Sequence, residues 1–163
     1  MYLLDTNVFI DAYKFHYGFE FHPGYWDWLI HANQSGIVFS IDAVYDELSQ
    51  KEDALFIWFK EHRDTLIIEP PKDLNLHVNH VSDLLSGQNY KPHAIAEFMM
   101  SADFRIIAHA MSYQSKVVTH EVIRSRKGRI KIPAICKELD VECINPFEML
   151  RTESPRFILD LGS

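Results

Sequence analysis

Four acidic side chains stand at the ends of predicted secondary-structure elements, where the chain can bring them together. They are Asp5, Glu47, Asp103 and Glu121. The first follows an apolar run at residues 2–4, and the last follows another at residues 116–119. The third opens a predicted helix, and the second lies about one turn into a helix that follows a strand. Because open parallel sheets bind ligands at the carboxyl ends of their strands, these acids are expected to meet at one edge.

Such a cluster suits a divalent cation. Carboxylates that share a partly desolvated cleft repel one another, which raises their pKa values and weakens the folded state. A bound Mg2+ or Mn2+ removes that repulsion, because hard cations prefer oxygen ligands. One or two such ions activate a water molecule and stabilise the charge on a phosphate group during reaction. The cluster therefore predicts a metal site that acts on phosphates, and it accounts for part of the chain's acidity.

Taken singly, each acid has a simpler structural explanation. Asp5 and Asp103 belong to a residue type that caps helices. Glu47 fits a solvated helix face, and Glu121 fits an acidic loop residue. The joint position of the four at matching ends of elements is what favours a common site.

Strands and helices alternate along the chain. Apolar runs predict strands at residues 2–4, 37–41, 66–68 and 116–119, with a weaker fifth strand at 141–144. Helical spacing of apolar residues predicts helices between these runs. The pattern predicts an α/β fold, a three-layer sandwich with a central, mainly parallel sheet of four to five strands flanked by helices. We expect one domain at residues 1–151, followed by a C-terminal tail at 152–163 with little order.

The charge balance counts against a nucleic-acid binder, because the 163 residues carry a formal net charge of -7 and such proteins are usually basic. Positive charge is nevertheless concentrated just after Glu121. The basic residues of this segment are Arg124, Arg126, Lys127, Arg129 and Lys131. Two interpretations stay open. The segment contacts phosphates beside the acidic cluster, or it is a solvated loop or a docking site for an acidic partner.

The sequence favours a soluble cytoplasmic protein. The N-terminal apolar run contains Asp5 and Asp11 and lacks the basic region of a signal peptide. No stretch reaches the roughly 18 apolar residues of a membrane span. The two cysteines, Cys136 and Cys143, lack zinc-site spacing and are expected to be reduced thiols.

The histidines and two further acids are secondary candidates. The nine histidines contain no HExxH pattern, which favours structural or surface roles over zinc binding. His120 adjoins Glu121 and either assists the site, for example by contacting phosphate, or only ends its strand. Asp11 and Asp46 lie near the principal acids in the sequence and are candidates for contacts behind the metal ligands.

A cluster of aromatic residues lies between residues 17 and 28. It consists of Tyr17, Phe21, Tyr25, Trp26 and Trp28. The helical spacing of these residues favours core packing or the face of a homodimer. Stacking on unpaired bases is the alternative.

Four segments, LLDTNVFI, VYDEL, SADFRIIAHA and VVTHE, resemble in that order the acidic motifs of PIN domains. PIN domains are nucleases found among the toxins of toxin–antitoxin pairs and among RNA-processing enzymes. The resemblance covers roughly residues 2–145. It implies a PIN-like fold in which Thr6 and Asn7 support the first metal ligand. The implied ligands are Asp5, Glu47, Asp103 and Glu121, the last standing where many PIN domains have Asp.

The chain is also similar to a bacterial subgroup of PIN-like proteins formerly classed only as a domain of unknown function. The segments that carry this similarity are YGFEFHPGYWDWL, VVTHE and KGRIKIPAIC. The subgroup implies the fold and the metal site, and it says little about the substrate.

The acidic cluster and the resemblance together predict a Mg2+- or Mn2+-dependent endoribonuclease that hydrolyses phosphodiester bonds of RNA. The resemblance further implies the toxin of a toxin–antitoxin pair, neutralised by a small antitoxin protein. One alternative is a non-catalytic PIN-like module that binds nucleic acid or another protein. Another is a phosphatase of the haloacid-dehalogenase type, in which an acid also ends the first strand. Those enzymes need a second Asp two residues later, where this chain has Asn7.

Overall fold

The computed structural model describes residues 1–123 and 129–158, and a four-stranded parallel sheet lies at the centre of this part. The strands are β1 (Tyr2–Leu4), β2 (Val38–Phe39), β3 (Lys116–Val118) and β4 (Cys143–Ile144). Their order across the sheet is β2-β1-β3-β4, and each neighbouring pair is parallel. The predicted α/β fold with a central parallel sheet of four to five strands is confirmed.

Helices connect and flank the strands. In the described residues they are α1 (Thr6–Asp11), α2 (Pro23–Gln34), α3 (Asp42–Leu48), α4 (Ala54–Glu61), α5 (Arg63–Leu66), α6 (Leu74–Gly87), α7 (Pro92–Met99), α8 (Ala102–Tyr113), α9 (Ile132–Glu138) and α10 (Pro146–Glu153). A π-helix, Ala12–His16, continues directly from α1. Helices α1 and α2 join β1 to β2, α3 to α8 join β2 to β3, and α9 lies between β3 and β4.

Strand β1 forms the middle of the hydrophobic core. Leu3 and Leu4 are completely buried, and the whole strand is buried along its length. A strand that is covered on both faces reads as a continuous apolar run, which is why its sequence shows no alternation. Helix α8 adds Ile106 and Ile107 to the core, both without solvent exposure, and packs against α6.

The predicted strand at residues 66–68 is wrong. Leu66 ends α5, and Ile67 makes only an isolated parallel bridge to Ser40. The helical turn of α5 uses backbone groups that a strand would need. The two prolines at residues 70–71 have no N–H to donate and cannot extend the bridge into a ladder.

The C-terminal part of the described chain continues beyond the predicted domain boundary at residue 151. Helix α10 ends at Glu153, and the Phe157 ring lies 5.0 Å from that of His22. The division into residues 1–151 and 152–163 stays a prediction. In the part that the structure describes, no helix combines the length and the apolar character needed to cross a membrane.

Strands β1 and β3 lie side by side although most of the chain separates them in sequence. Leu4 pairs with Val118, so the next residues, Asp5 and Thr119, lie beside one another at the carboxyl edge. The chain goes from β1 to β2 on one side of the sheet and comes back to β3 on the other. Ligands of open α/β sheets bind in the crevice at such a reversal of strand order.

Asn33 on α2 anchors strand β2, because its buried Nδ2 donates to the carbonyl oxygens of Val38 and Thr65, each at 2.9 Å. We expect Asn33→Ala to lower the free energy of unfolding by about 1–3 kcal/mol, since the buried carbonyl of Val38 and the more exposed carbonyl of Thr65 both lose their donor. Urea denaturation measures this change. The control Asn75→Ala, at an exposed position on α6, is expected to change stability by less than about 0.5 kcal/mol. Equal effects of the two substitutions would contradict the anchoring role.

Candidate active site

Asp5 is the most buried of the four acids, with 2% of its surface exposed. It is the N-cap of α1, where its Oδ1 accepts a hydrogen bond from the backbone N–H of Thr6 at 2.7 Å. Its Oδ2 accepts a hydrogen bond from the Thr119 hydroxyl at 2.8 Å. Burial and the nearby charge of Asp103 raise the pKa of Asp5 to about 8. The residue therefore caps its helix and also contributes a carboxyl to the acidic edge of the sheet.

Thr119 links the ends of β1 and β3, a role that the sequence did not indicate. Its hydroxyl donates to Asp5 and accepts from Asn7 Nδ2 at 3.0 Å and from the backbone N–H of Glu121 at 3.1 Å. The Asn7 Oδ1 accepts from the backbone N–H of His120 at 2.9 Å. The sequence signal for this contact was that polar residues, Asp5 and Thr119, follow directly after two strands that pair with each other. The network fixes the carboxyl of Asp5. It joins residues 5–7, which follow β1, to residues 119–121, which follow β3.

Glu47 bridges two elements and does not lie on a solvated helix face. Its Oε2 accepts from the Thr6 hydroxyl at 2.5 Å, and its Oε1 accepts from the backbone N–H of Ala102 at 2.9 Å. Ala102 is the first residue of α8. The hydroxyl of the preceding Ser101 donates instead to the carbonyl of Phe98 at 2.7 Å, so Glu47 caps α8 from another part of the chain.

Glu121 caps α9 in the same way as Glu47 caps α8. Its Oε2 accepts from the backbone N–H of Ile132, the first residue of that helix, at 2.9 Å. Its Oε1 accepts from the ammonium group of Lys131, with which it forms an ion pair. Lys131 occupies the N-cap position and has no acceptor of its own, so the helix needs this carboxylate as its cap.

Asp103 completes the acidic group from the first turn of α8. Burial, followed by the charges of Glu121 and Glu47, raises the pKa of Asp103 to about 6, while Lys131 and Arg129 act in the opposite direction. The four acids predicted from sequence thus lie close enough to influence one another. Among the described residues, none donates a hydrogen bond to the Asp103 carboxylate, which leaves its oxygens available to a ligand.

Two of the five predicted phosphate-binding residues can be placed. Lys131 pairs with Glu121, and Arg129 lines a cavity with Asp103 and lies 4.0 Å from Glu97. This cavity encloses about 330 Å3, open solvent included, at the N-terminal end of α8. The remaining three, Arg124, Arg126 and Lys127, lie outside the described residues.

Of the secondary candidates, His120 lies beside the acidic site and Asp46 lies on the surface. His120 is half-buried, and burial lowers its pKa while Asp11 opposes that effect. Its ring lies 5.7 Å from that of His16. Asp46 is exposed on α3 and makes no side-chain contact with the four acids.

The carboxylates are suitable ligands for a hard divalent cation, although their present arrangement is not a complete coordination site. Within residues 1–123 and 129–158, no three His, Cys, Asp or Glu side chains are arranged to hold a metal ion. The oxygens of Glu47 and Glu121 accept hydrogen bonds from helix N-termini. The pKa values of Asp5 and Asp103 are nevertheless raised, first by burial and then by the charges of neighbouring acids, and a bound cation would relieve both effects.

The capping role of Glu47 can be tested by stability. Glu47→Ala removes the acceptor of the Ala102 N–H and the partner of Thr6, so we expect the free energy of unfolding to fall by about 1–2 kcal/mol. Asp46→Ala, at the exposed neighbouring position, is expected to change it by less than about 0.5 kcal/mol. Urea denaturation in the presence of a chelator measures both. No difference between the two variants would contradict the bridging role.

The raised pKa of Asp5 makes the metal-free protein less stable as the pH rises. Its carboxyl in the folded protein holds a proton up to about pH 8, whereas the unfolded chain releases it near 3.8. The folded state therefore binds more protons in this interval, and the free energy of unfolding falls as the pH rises through it. Urea denaturation across this pH range, with a chelator present, should show a shallower decline for Asp5→Asn. Superimposable pH profiles of the two proteins would contradict the burial of an acid at this position.

Two solved structures share the fold of this chain over most of their length. The first is VapBC2 from Rickettsia felis, bound to a DNA fragment from its promoter. The matched chain is 15% identical to this one with a TM-score of 0.53, and the alignment covers 88% of this chain and 97% of that chain. VapBC-1 from nontypeable Haemophilus influenzae is 16% identical with a TM-score of 0.51, covering 87% and 95%. At this level of identity the likeness concerns the fold. VapC is a PIN-domain protein, so the predicted PIN-like fold is confirmed.

No curated protein matches the chain by sequence. A family model does match, over residues 2–157, and its description is "Domain of unknown function (DUF4411)". The matched range includes the four acids and the four strands that the structure describes. The chain therefore belongs to the DUF4411 family, and its fold is PIN-like.

Proposed function

We propose that this protein is a metal-dependent endoribonuclease that hydrolyses phosphodiester bonds of RNA with Mg2+ or Mn2+. The observation that carries the proposal is the acidic pair formed by the buried Asp5 and the partly buried Asp103, whose pKa values are raised to about 8 and about 6. Raised pKa values that arise from burial and like charges are typical of functional sites in a crevice. The position of the pair beside the ends of β1 and β3 agrees with where open α/β sheets bind ligands.

The four acids would hold the cation, with Asp5 and Asp103 nearest the centre of the site and Glu47 and Glu121 at its two sides. A divalent ion held by them supplies an activated water and neutralises charge on the phosphate that is attacked. The protein's own groups orient this set. Thr119 holds one oxygen of Asp5, and the backbone N–H of Thr6 holds the other.

Positive side chains beside the acids would position the RNA backbone. Arg129 and Lys131 lower the pKa of Asp103, which means that their charges act on the site itself. Contacts from such groups to phosphate fix the register of a nucleic acid without reading its sequence. This local positive charge makes RNA binding compatible with the net charge of -7. Arg124, Arg126 and Lys127 are proposed to extend the same surface.

The biological role that we propose is that of a cytoplasmic toxin neutralised by a small antitoxin protein. The support is the likeness of the fold to VapBC2 and VapBC-1, which are toxin–antitoxin structures. A small DNA-binding protein encoded beside this chain, which co-purifies with it and suppresses its ribonuclease activity, is the expected partner.

A non-catalytic PIN-like module is the second candidate, and the capping contacts favour it. Glu47 and Glu121 direct both carboxylate oxygens at protein donors, so the acids also have structural roles. Binding of a cation without cleavage of RNA would support this candidate over the enzyme. The phosphatase alternative receives no comparable support, because the amide of Asn7 is engaged with Thr119 and His120.

The decisive assay compares RNA cleavage by the wild type and by Asp5→Asn in the presence of Mg2+ or Mn2+. We expect the substitution to reduce the rate by about 100-fold or more, since even the partners behind metal ligands typically contribute 10- to 100-fold. Gel analysis of a labelled single-stranded RNA measures the rate.

Asp46→Asn is the matched control, because it makes the same chemical change at an exposed carboxyl of α3. Its rate should equal that of the wild type. Cleavage that persists in Asp5→Asn at the rate of the wild type would contradict the proposed site, and so would cleavage that a chelator leaves unchanged.

A further inference from the structure

A strip of aromatic rings extends from the acidic edge across the surface. In spatial order it consists of His120, Phe147, His16, Tyr17, His22 and Phe157. Successive ring centroids are 5.7, 5.3, 6.0, 5.1 and 5.0 Å apart. These rings come from the end of β3, from α10, from the π-helix and from the segments that precede α2 and follow α10. The arrangement therefore depends on tertiary contacts, and no periodicity in the sequence predicts it.

The strip begins at the candidate active site. The backbone N–H of His120 donates to Asn7, whose amide contacts Thr119, and Thr119 contacts Asp5. Three hydrogen-bonded steps thus link the backbone of His120, the residue that carries the first ring, to Asp5, the most buried acid. A polymer held at the acids would pass over the first rings of the strip.

The far end of the strip opens into a groove. Phe157 and His22 line it together with Phe21, Trp28 and Arg156, and it encloses about 1100 Å3 with open solvent included. Phe21 is 65% exposed and Phe157 37% exposed. The lining combines aromatic faces with a guanidinium group, which are the groups that bind unpaired nucleotides.

A rigid base supports the strip. Tyr17 stacks on the buried Tyr25 with a centroid distance of 4.2 Å, and its carbonyl accepts from Trp26 Nε1 at 2.6 Å. The predicted aromatic cluster thus divides in two, because Tyr25 and Trp26 pack in the core while Phe21 and Trp28 line the groove. A π-helix presents His16, and π-helical turns occur frequently at functional sites.

We propose that the aromatic strip binds the unpaired nucleotides that flank the bond cleaved at the acidic edge, by stacking of bases on its rings. The inference rests on the proposed ribonuclease function and specifies its substrate as single-stranded RNA. Rings stack on every base, so the strip selects for unpaired structure and not for sequence. A duplex keeps its bases stacked on one another and cannot offer them to these rings.

Binding can be measured without cleavage, by fluorescence anisotropy of a labelled single-stranded RNA in the presence of a chelator. His16→Ala and Phe157→Ala are each expected to weaken affinity about fivefold or more, while affinity for a duplex of the same sequence stays unchanged. Phe15→Ala is the matched control, since Phe15 belongs to the same π-helix and is 72% exposed, and its affinity should equal that of the wild type.

His16→Phe separates stacking from other functions of an imidazole. It should retain the affinity of the wild type, and affinity as low as that of His16→Ala would overturn the stacking proposal. Wild-type affinity in both His16→Ala and Phe157→Ala would also overturn it. So would a dimer of the wild type, seen by sedimentation, that Phe157→Ala dissociates without loss of RNA affinity.

The two proposals fail in different ways. Loss of single-strand affinity in the strip variants, in a protein that cleaves no RNA, would support the strip and refute the ribonuclease. Metal-dependent cleavage that Asp5→Asn abolishes, together with unchanged affinity in the strip variants, would refute the strip alone.

Discussion

The burial of one carboxyl group, that of Asp5, at the end of the central strand is the constraint on which the rest of the structure depends. Burial of a charged carboxylate costs free energy that neighbouring groups must offset. The N–H of Thr6 and the hydroxyl of Thr119 offset part of it, but Asp103 and Glu121 add repulsion. A proton or a cation must supply the remainder, and the raised pKa is the sign of that need.

The surrounding acids hold the fold together at the same edge. Glu47 caps α8 and Glu121 caps α9, each from a distant part of the sequence. Helix α8 carries Asp103, so the cap of this helix also fixes the position of another acid. A change at one carboxylate is therefore expected to affect both the stability of the sheet edge and the geometry of the candidate site. This coupling explains why stability and metal binding need separate measurements.

Much of this arrangement follows from the sequence, because runs of buried apolar residues give the strands and an acid follows each central one. The predicted strand at residues 66–68 failed because a helical turn uses the same backbone groups. The capping by Glu47 and the particular hydrogen-bond partners of Thr119 could not be predicted, since both depend on groups that only the folded sheet brings near. The aromatic strip could not be predicted for the same reason. Spacing along the chain does not encode contacts between five separate segments.

Calorimetric titration of Mn2+ into the metal-free protein at pH 7 measures whether the four acids bind a divalent cation. Buffers of different ionisation enthalpy reveal how many protons binding releases. We expect saturable binding with release of nearly one proton, because Asp5, with a pKa raised to about 8, holds its proton at this pH until the cation displaces it. Asp5→Asn should bind about tenfold more weakly or worse and release fewer protons. Absence of saturable binding in the wild type, or equal affinity and proton release in Asp5→Asn, would contradict a metal site that includes Asp5.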